Sequence, residues 1–426
     1  MKNIENWDWT TGKKVVADIS GWQSEYEAVE EPYVSPDGEQ IAAIVQIEEE
    51  SVSVCVNGTP WEKSFDKVWY LRFSPDNRAV AIVSDTAEWS VAVDGKPWEN
   101  WFEFVWNTQF SYENGSIAIA AQNARSYFAV KDDVPWETGF SAMTNLTLSR
   151  DGRVAAAAVQ TEALKEGDIF EFQKGHFTIA ADGTVWKNTF LNAWEIDISA
   201  DNRLVAAEVR LSLYDYTIAI NDEVWPNAFS AIWRPRFNPV DNSVTAPVKV
   251  PGGWSLAKDG ELFWEGRYVQ LWHHFYSTDG KKIAGIAAPG FGKWTIVEND
   301  IPWNVTFNEV LTDPVYSPDN RSIACTGKNN GKWYVAVDGK MWPEAYDRAW
   351  PPVFSPQGDF VAAKVERNGK YAIAVNGKTL DIPLAEAWNP VFSPDNTKIM
   401  VKGIGTGEDE GKYCRHIIET DKLPGK

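Results

Sequence analysis

Large aromatic residues return along this chain at even spacing, Trp-x3-Phe-x3-Trp-x3-Phe, and short apolar runs broken by polar turns fill the intervals. Four copies keep the first three places unchanged: Trp61/Phe65/Trp69, Trp98/Phe102/Trp106, Trp186/Phe190/Trp194 and Trp225/Phe229/Trp233. A helix would bury positions i+3 and i+7 as well as i+4, whereas even spacing alone keeps residues on one face of a strand. The flanks favour strands. Pro60, Pro97, Pro135 and Pro302 directly precede tetrads, and Ser-Pro-Asp or a variant follows each one, so a helix would break at both ends.

Residues 73–110 carry every signal of one unit. Phe73-Ser74-Pro75-Asp76-Asn77 is an apolar end followed by a turn, because Pro presets φ and Asp and Asn bond their own backbone. Ala79 to Val83 is an apolar run of strand length, and Trp89 to Val93 alternates before an Asp94-Gly95 hairpin. Trp98 to Trp106 then leads to the next turn-entering Phe110. Four short strands in about 38 residues make one propeller blade.

Counting conservative variants, tetrads begin at Trp22, Trp61, Trp98, Trp136, Trp186, Trp225, Trp264, Trp303, Trp342 and Leu380, so the steps are 39, 37, 38, 50, 39, 39, 39, 39 and 38. This predicts an all-β chain, a β-propeller of about ten four-stranded units. The start, Val15-Val16-Ala17-Asp18, reads as the outer half of a unit, and Val391 to Ile418 as the inner part of one. Joining the two would close the ring and hide a sheet edge. Residues 15–418 form the propeller on this reading, with an extension at 1–14 and a tail at 419–426. Ten blades exceed the usual four to eight. Two smaller lobes, divided in the long step between Trp136 and Trp186, or an open arc, are the alternatives.

Of the 23 tryptophans, nine hold the first tetrad place, seven the third, and Trp89, Trp254, Trp294 and Trp333 stand nine or ten residues before a first place. Residues that recur with the structural period read as packing between blades. Trp7, Trp9 and Trp101 are out of register and are therefore candidates for interaction. The long step holds about eleven extra residues, at 161–174, where Ile169, Phe170 and Phe172 stand among charged neighbours. Insertions in repeat arrays map to loops and often carry function, so these three are further protein-interaction candidates.

The balance of 40 Lys+Arg against 60 Asp+Glu gives a net charge of −20, which disfavours nucleic acid and anionic lipid as partners. The start has no signal-peptide-like apolar run, and 18 consecutive apolar residues occur nowhere, so a cytoplasmic protein without direct membrane insertion is expected. Cys55, Cys325 and Cys414 are scattered and read as small core residues. Four histidines, His176, His273, His274 and His416, show no metal-ligand spacing, and neither a phosphate-binding loop nor a haem-attachment motif occurs. No catalytic, cofactor-binding or metal-binding residue is predicted.

The repeated Phe-Ser-Pro-Asp turn, apolar strand and Val-Asp-Gly hairpin resemble WD40-like and TolB-type propeller repeats, although the usual Trp-Asp dipeptide is missing. Tryptophan loading, acidic charge and the mass of 47.8 kDa further resemble the tryptophan-rich subunit (TmcD) of Tmc-type transmembrane redox complexes of sulfate-reducing bacteria. In that family a multihaem cytochrome c, a membrane cytochrome b and an iron-sulfur protein carry the chemistry. The resemblance implies a non-catalytic, cofactor-free scaffold of an electron-transfer complex, peripheral to the inner membrane, docking on the iron-sulfur or cytochrome b subunit. An independent propeller hydrolase, or a ligand- or peptide-binding propeller, is the alternative.

Overall fold

The computed structural model describes residues 4–162, 167, 173 and 175–425. Its antiparallel sheets form ten β-propeller blades arranged in chain order: 28–60, 67–97, 104–135, 142–185, 192–224, 232–262, 270–302, 310–341, 348–379, and a tenth made of 384–419 with Gly12–Asp18. Blade 2 is representative, with an inner strand Lys67–Phe73, then Ala79–Asp85, Glu88–Val93 and a two-residue outer strand Lys96–Pro97. So short an outer edge, often carrying proline, offers little to a pairing partner.

Local chemistry repeats with the fold. At the hairpin between third and fourth strands an Asp or Asn adopts positive φ, and its side chain accepts a hydrogen bond from the first residue of the second strand. Examples are Asp94 with Ala79 N, Asp132 with Ile117 N and Asn221 with Val205 N, each at 2.8 Å. The Ser of each Ser-Pro-Asp turn is buried and donates to the carboxylate two residues on, at 2.5 Å for Ser35 to Asp37 and 2.6 Å for Ser393 to Asp395. These Asp residues are turn locks, and the following Asn reaches the neighbouring blade. Asn202 donates to Asp151 and Asn242 to Asp201, at 2.7 and 3.1 Å.

Ten apolar clusters lie between successive blades, one for every interface of the ring. The cluster between blades 1 and 2 joins Ile44 and Val54 to Phe65, Leu71 and Val83. The cluster between blades 4 and 5 joins Ala158 and Ile179 to Phe190, Ile196 and Val209. The long step between Trp136 and Trp186 is therefore no lobe boundary. One ring forms, rather than two lobes or an arc.

First-place tryptophans pack across the outer part of these interfaces, against the hairpin glycine of the following blade. A Cβ on Gly95 (φ +81°) would lie 2.9 Å from Trp61 Cγ. Second-place aromatics such as Phe65, Phe102 and Phe307 are buried, and each bridges the start of its own third strand.

Every inner strand carries at least one residue more than the second strand it pairs with, and that of blade 10 carries two. In blade 2, Trp69 faces Ile82 and Arg72 faces Val80; in blade 7, Trp272 faces Ile286 and Phe275 faces Ala284. Blade 6 shows the same offset, with Ile232 opposite Val248 and Arg236 opposite Thr245. Such a bulge bends the strand and re-aims side chains. In blades 2, 3, 4 and 7 it falls immediately after the third tetrad place, where Tyr70, Asn107, Asn145 and His273 have φ between 46° and 60°.

The ring closes through Gly12–Asp18, which pairs antiparallel with Lys412–Glu419 as the fourth strand of blade 10. The seam between blades 10 and 1 adds polar locks to its apolar cluster. Arg415 is 1% exposed and pairs with Asp8 at 2.8 Å and Glu39 at 2.5 Å. Tyr413 Oη donates to Gly38 O at 3.1 Å, and Lys402 Nζ to Ser35 O and Pro36 O at 3.3 and 3.1 Å. All three cysteines are buried and unpaired.

Candidate functional face and channel pocket

The face of the ring that carries the hairpins between second and third strands departs most from the repeat. In blades 2, 3, 8 and 9 these hairpins turn through two residues with positive φ, as at Thr86-Ala87 and Asn368-Gly369. Blades 4, 5, 7 and 10 have longer connections, between Gln160 and Phe177, Arg210 and Tyr216, Ala288 and Thr295, and Gly405 and Lys412. The connections of blades 5 and 7 expose apolar side chains: Tyr214 is 74% exposed, Leu213 59% and Phe291 93%.

The bulge turns the third-place tryptophans toward the same face. Each meets, within its own blade, the aromatic residue that opens the third strand, stacked on it in blades 5, 6 and 7 and tilted or edge-on in the others. Trp233 and Trp254 lie 5.3 Å apart at 13°, Trp272 and Trp294 4.8 Å apart at 19°, and Trp194 and Tyr216 6.1 Å apart at 23°. Third-place tryptophans are thus not wholly blade-to-blade packing: Trp69 is 54% exposed and Trp233 43%. Tyr70 and Phe104 extend the exposed aromatic surface at this face.

Behind it, the inner strands of blades 5, 6 and 7 enclose a cavity of about 380 Å³ lined by Glu195, Trp233, Arg234, Arg236, Trp272 and His273, among others. Asp197 pairs with Arg236 at 3.2 Å and accepts from Phe237 N at 2.8 Å. Burial raises the Asp197 carboxyl above its ordinary range, and Arg236 opposes that shift. Arg234 Nε lies 3.6 Å from Glu195 Oε2, an ion pair beyond hydrogen-bond length, and Nη2 donates to Ile196 O.

His274 is buried with Nε2 3.1 Å from both Thr245 O and Oγ1. Burial, then Arg236, lowers its pKa to about 3, so its ring is neutral. Glu208 is buried in the second strand of blade 5, and burial, then Glu195, raises it to about 8. The pocket can therefore present guanidinium donors and the outer rings of two indole stacks. Among the described residues no cluster of His, Cys, Asp and Glu has the geometry to hold a metal.

The sequence-derived candidates do not meet at this pocket. Trp7 and Trp9 stack 6.3 Å apart against Val391, Met400 and Ile417 of blade 10, and Lys398 donates to Trp9 O. Trp101 packs on the cluster between blades 1 and 2, with Lys63 5.4 Å from its ring. Ile169, Phe170 and Phe172 lie outside the described residues. Reading tetrads alone passes over Arg234, Arg236 and Glu208. The signal for Glu208 is a carboxylate at the strand position that Ile82, Ala120 and Ile286 occupy in other blades.

No protein-family model matches the chain, and no curated protein matches it. Among solved structures it is similar to a eukaryotic initiation factor at 12% identity and TM-score 0.46, covering 87% of this chain and 95% of that one. It is also similar to the Cps50 (Swd1) β-propeller domain of Myceliophteria thermophila, at 12% identity and TM-score 0.32 over 64% of this chain and 95% of the other. A third is a putative TolB from Agrobacterium tumefaciens, at 14% identity and TM-score 0.28 over 53% and 89%. The propeller assignment rests on the strand pairing of this chain itself. No described helix is long and apolar enough to cross a membrane.

Proposed function

We propose that this chain is a non-catalytic protein-interaction scaffold that docks through the hairpin face over blades 4–7. What carries the reading is the gathering of departures on one face. The lengthened hairpins of blades 5 and 7 bring the exposed Leu213, Tyr214 and Phe291 to that face, on either side of blade 6. Apolar side chains exposed together at loop tips suit burial in a partner.

On the resemblance of its tryptophan-rich acidic sequence, the partners are the cytoplasmic iron-sulfur protein or membrane cytochrome b of a redox complex that also holds a multihaem cytochrome c. The scaffold would be cytoplasmic and reach the membrane only through them. The test is isolation from native cells in mild detergent, recording the visible spectrum and subunits that accompany it. Stoichiometric haem and iron-sulfur subunits are expected. A colourless preparation whose partners lack redox centres would move the scaffold out of electron transfer, and a lone monomer would end the scaffold reading.

The pocket of blades 5–7 favours a second reading, a ligand-binding propeller. Its volume is in the small-ligand range and its polar groups converge.

A further inference from the structure

Across the ring from that pocket, the channel wall opens into a cavity of about 500 Å³ built from blades 1, 2, 9 and 10. Its charged lining is Arg72, Lys364 and Lys402, with no carboxylate among the lining residues, in a chain of net charge −20. Tyr33, Trp350 and Trp388 supply flat aromatic walls.

These cations lack the counterions that buried or half-buried charges ordinarily keep. The Arg72 guanidinium lies 4.3 Å from the Tyr33 ring centre and 5.0 Å from that of Tyr70, and donates to the adjacent Leu71 O. Lys364 Nζ sits 4.1 Å from the Trp350 ring centre and 4.8 Å from that of Tyr371. No carboxylate of the described residues forms an ion pair with either. Burial lowers the Lys364 pKa, and the carboxylates that counter it, Glu386, Glu31 and Glu366, act from beyond ion-pair distance.

The repeat makes these residues exceptional. Lys364 and Lys402 occupy the second-strand position where blades 1, 2, 3 and 7 place Ile44, Ile82, Ala120 and Ile286. An apolar residue there satisfies the fold, so two lysines beside an unpaired arginine need an explanation other than packing.

We propose that this recess binds a small organic anion bearing two or more negative charges on a flat body. The carboxylate or phosphate groups would pair with Arg72 and Lys364, which are already held on aromatic faces. The body would lie against Trp350 and Trp388.

Titration calorimetry on the full chain, with benzene-1,3,5-tricarboxylate and inorganic phosphate as probes, tests this. The tricarboxylate is expected to bind in the micromolar range, with phosphate at least tenfold weaker. Arg72→Gln and Lys364→Met are each expected to weaken tricarboxylate binding at least tenfold at an unchanged unfolding temperature. Arg203→Gln, an exposed cation that lines neither pocket, should leave it unchanged. If one variant fails to fold, the other decides. Absence of tricarboxylate binding, or binding indifferent to both substitutions, would overturn the site. Phosphate binding as tight as that of the tricarboxylate would overturn the flat-body assignment.

Discussion

Glu208 stands where other blades place an apolar side chain, and its protonation shows how the channel wall tolerates a carboxyl. Its folded pKa of about 8 exceeds the ordinary 4.5, so the folded chain holds a proton that the unfolded chain releases between those values. The resulting stabilisation is complete below the unfolded pKa and is lost as pH rises through about 8. Glu208→Gln keeps a neutral side chain at every pH. Urea unfolding at about pH 5 and about pH 9 should therefore show the variant gaining on the parent toward alkaline pH, by on the order of 2–4 kcal/mol. A parallel pH dependence would mean that Glu208 is ionised in the fold. His274 works in the opposite sense. Its pKa is lowered, so the stability linked to its neutral ring is present above its ordinary 6.5 and lost as pH falls through about 3.

Within an element, the same residue type does two jobs according to its place in the tetrad. Trp225, in a first place, is buried between blades 5 and 6, whereas Trp233, in a third place, is half exposed on its own blade. Thermal unfolding should separate them, with Trp225→Ala costing about 3–5 kcal/mol and Trp233→Ala about 1. Equal losses would contradict the division. Gly95 offers a related check: Gly95→Ala meets Trp61 at a positive φ and should cost about 1–3 kcal/mol.

Much of this level was legible in the sequence. The tetrad, the Ser-Pro-Asp turn and the Asp-Gly hairpin each carry a local signal, and together they place the strands of a blade. The bulge was not legible, because an extra residue in an edge strand changes pairing without changing the spacing of the aromatics along the chain. Its consequence, that third-place tryptophans meet an aromatic partner within a blade beside the channel, stayed hidden with it. The channel charges were visible as residues but not as neighbours. Arg72 and Lys364 are nearly three hundred positions apart, and only ring closure brings them to one recess.

For the whole molecule, closure depends on seven N-terminal residues acting as the last strand of the last blade. Removing residues 1–18 would delete that strand and Asp8, leave Arg415 with one fewer counterion, and bare the edge of Lys412–Glu419. The truncated chain should unfold at a lower denaturant concentration and form dimers or larger species through the open edge, seen by light scattering. A monomeric chain of unchanged stability would show that the seam does not hold the ring. A closed ring with fixed apolar interfaces makes a stable platform, and variation gathers on the hairpin face and the channel wall.

The central claim, docking through the hairpin face, is tested most directly by comparing two tagged variants expressed in native cells. One carries Leu213→Ser, Tyr214→Ser and Phe291→Ser; the control carries Tyr112→Ser and Val240→Ser on the opposite face. Both should fold like the parent, since all five side chains are exposed. Co-isolation is expected to lose the parent's stoichiometric partners from the first and keep them with the control. Partners retained by the first variant, or lost only from the control, would contradict the account.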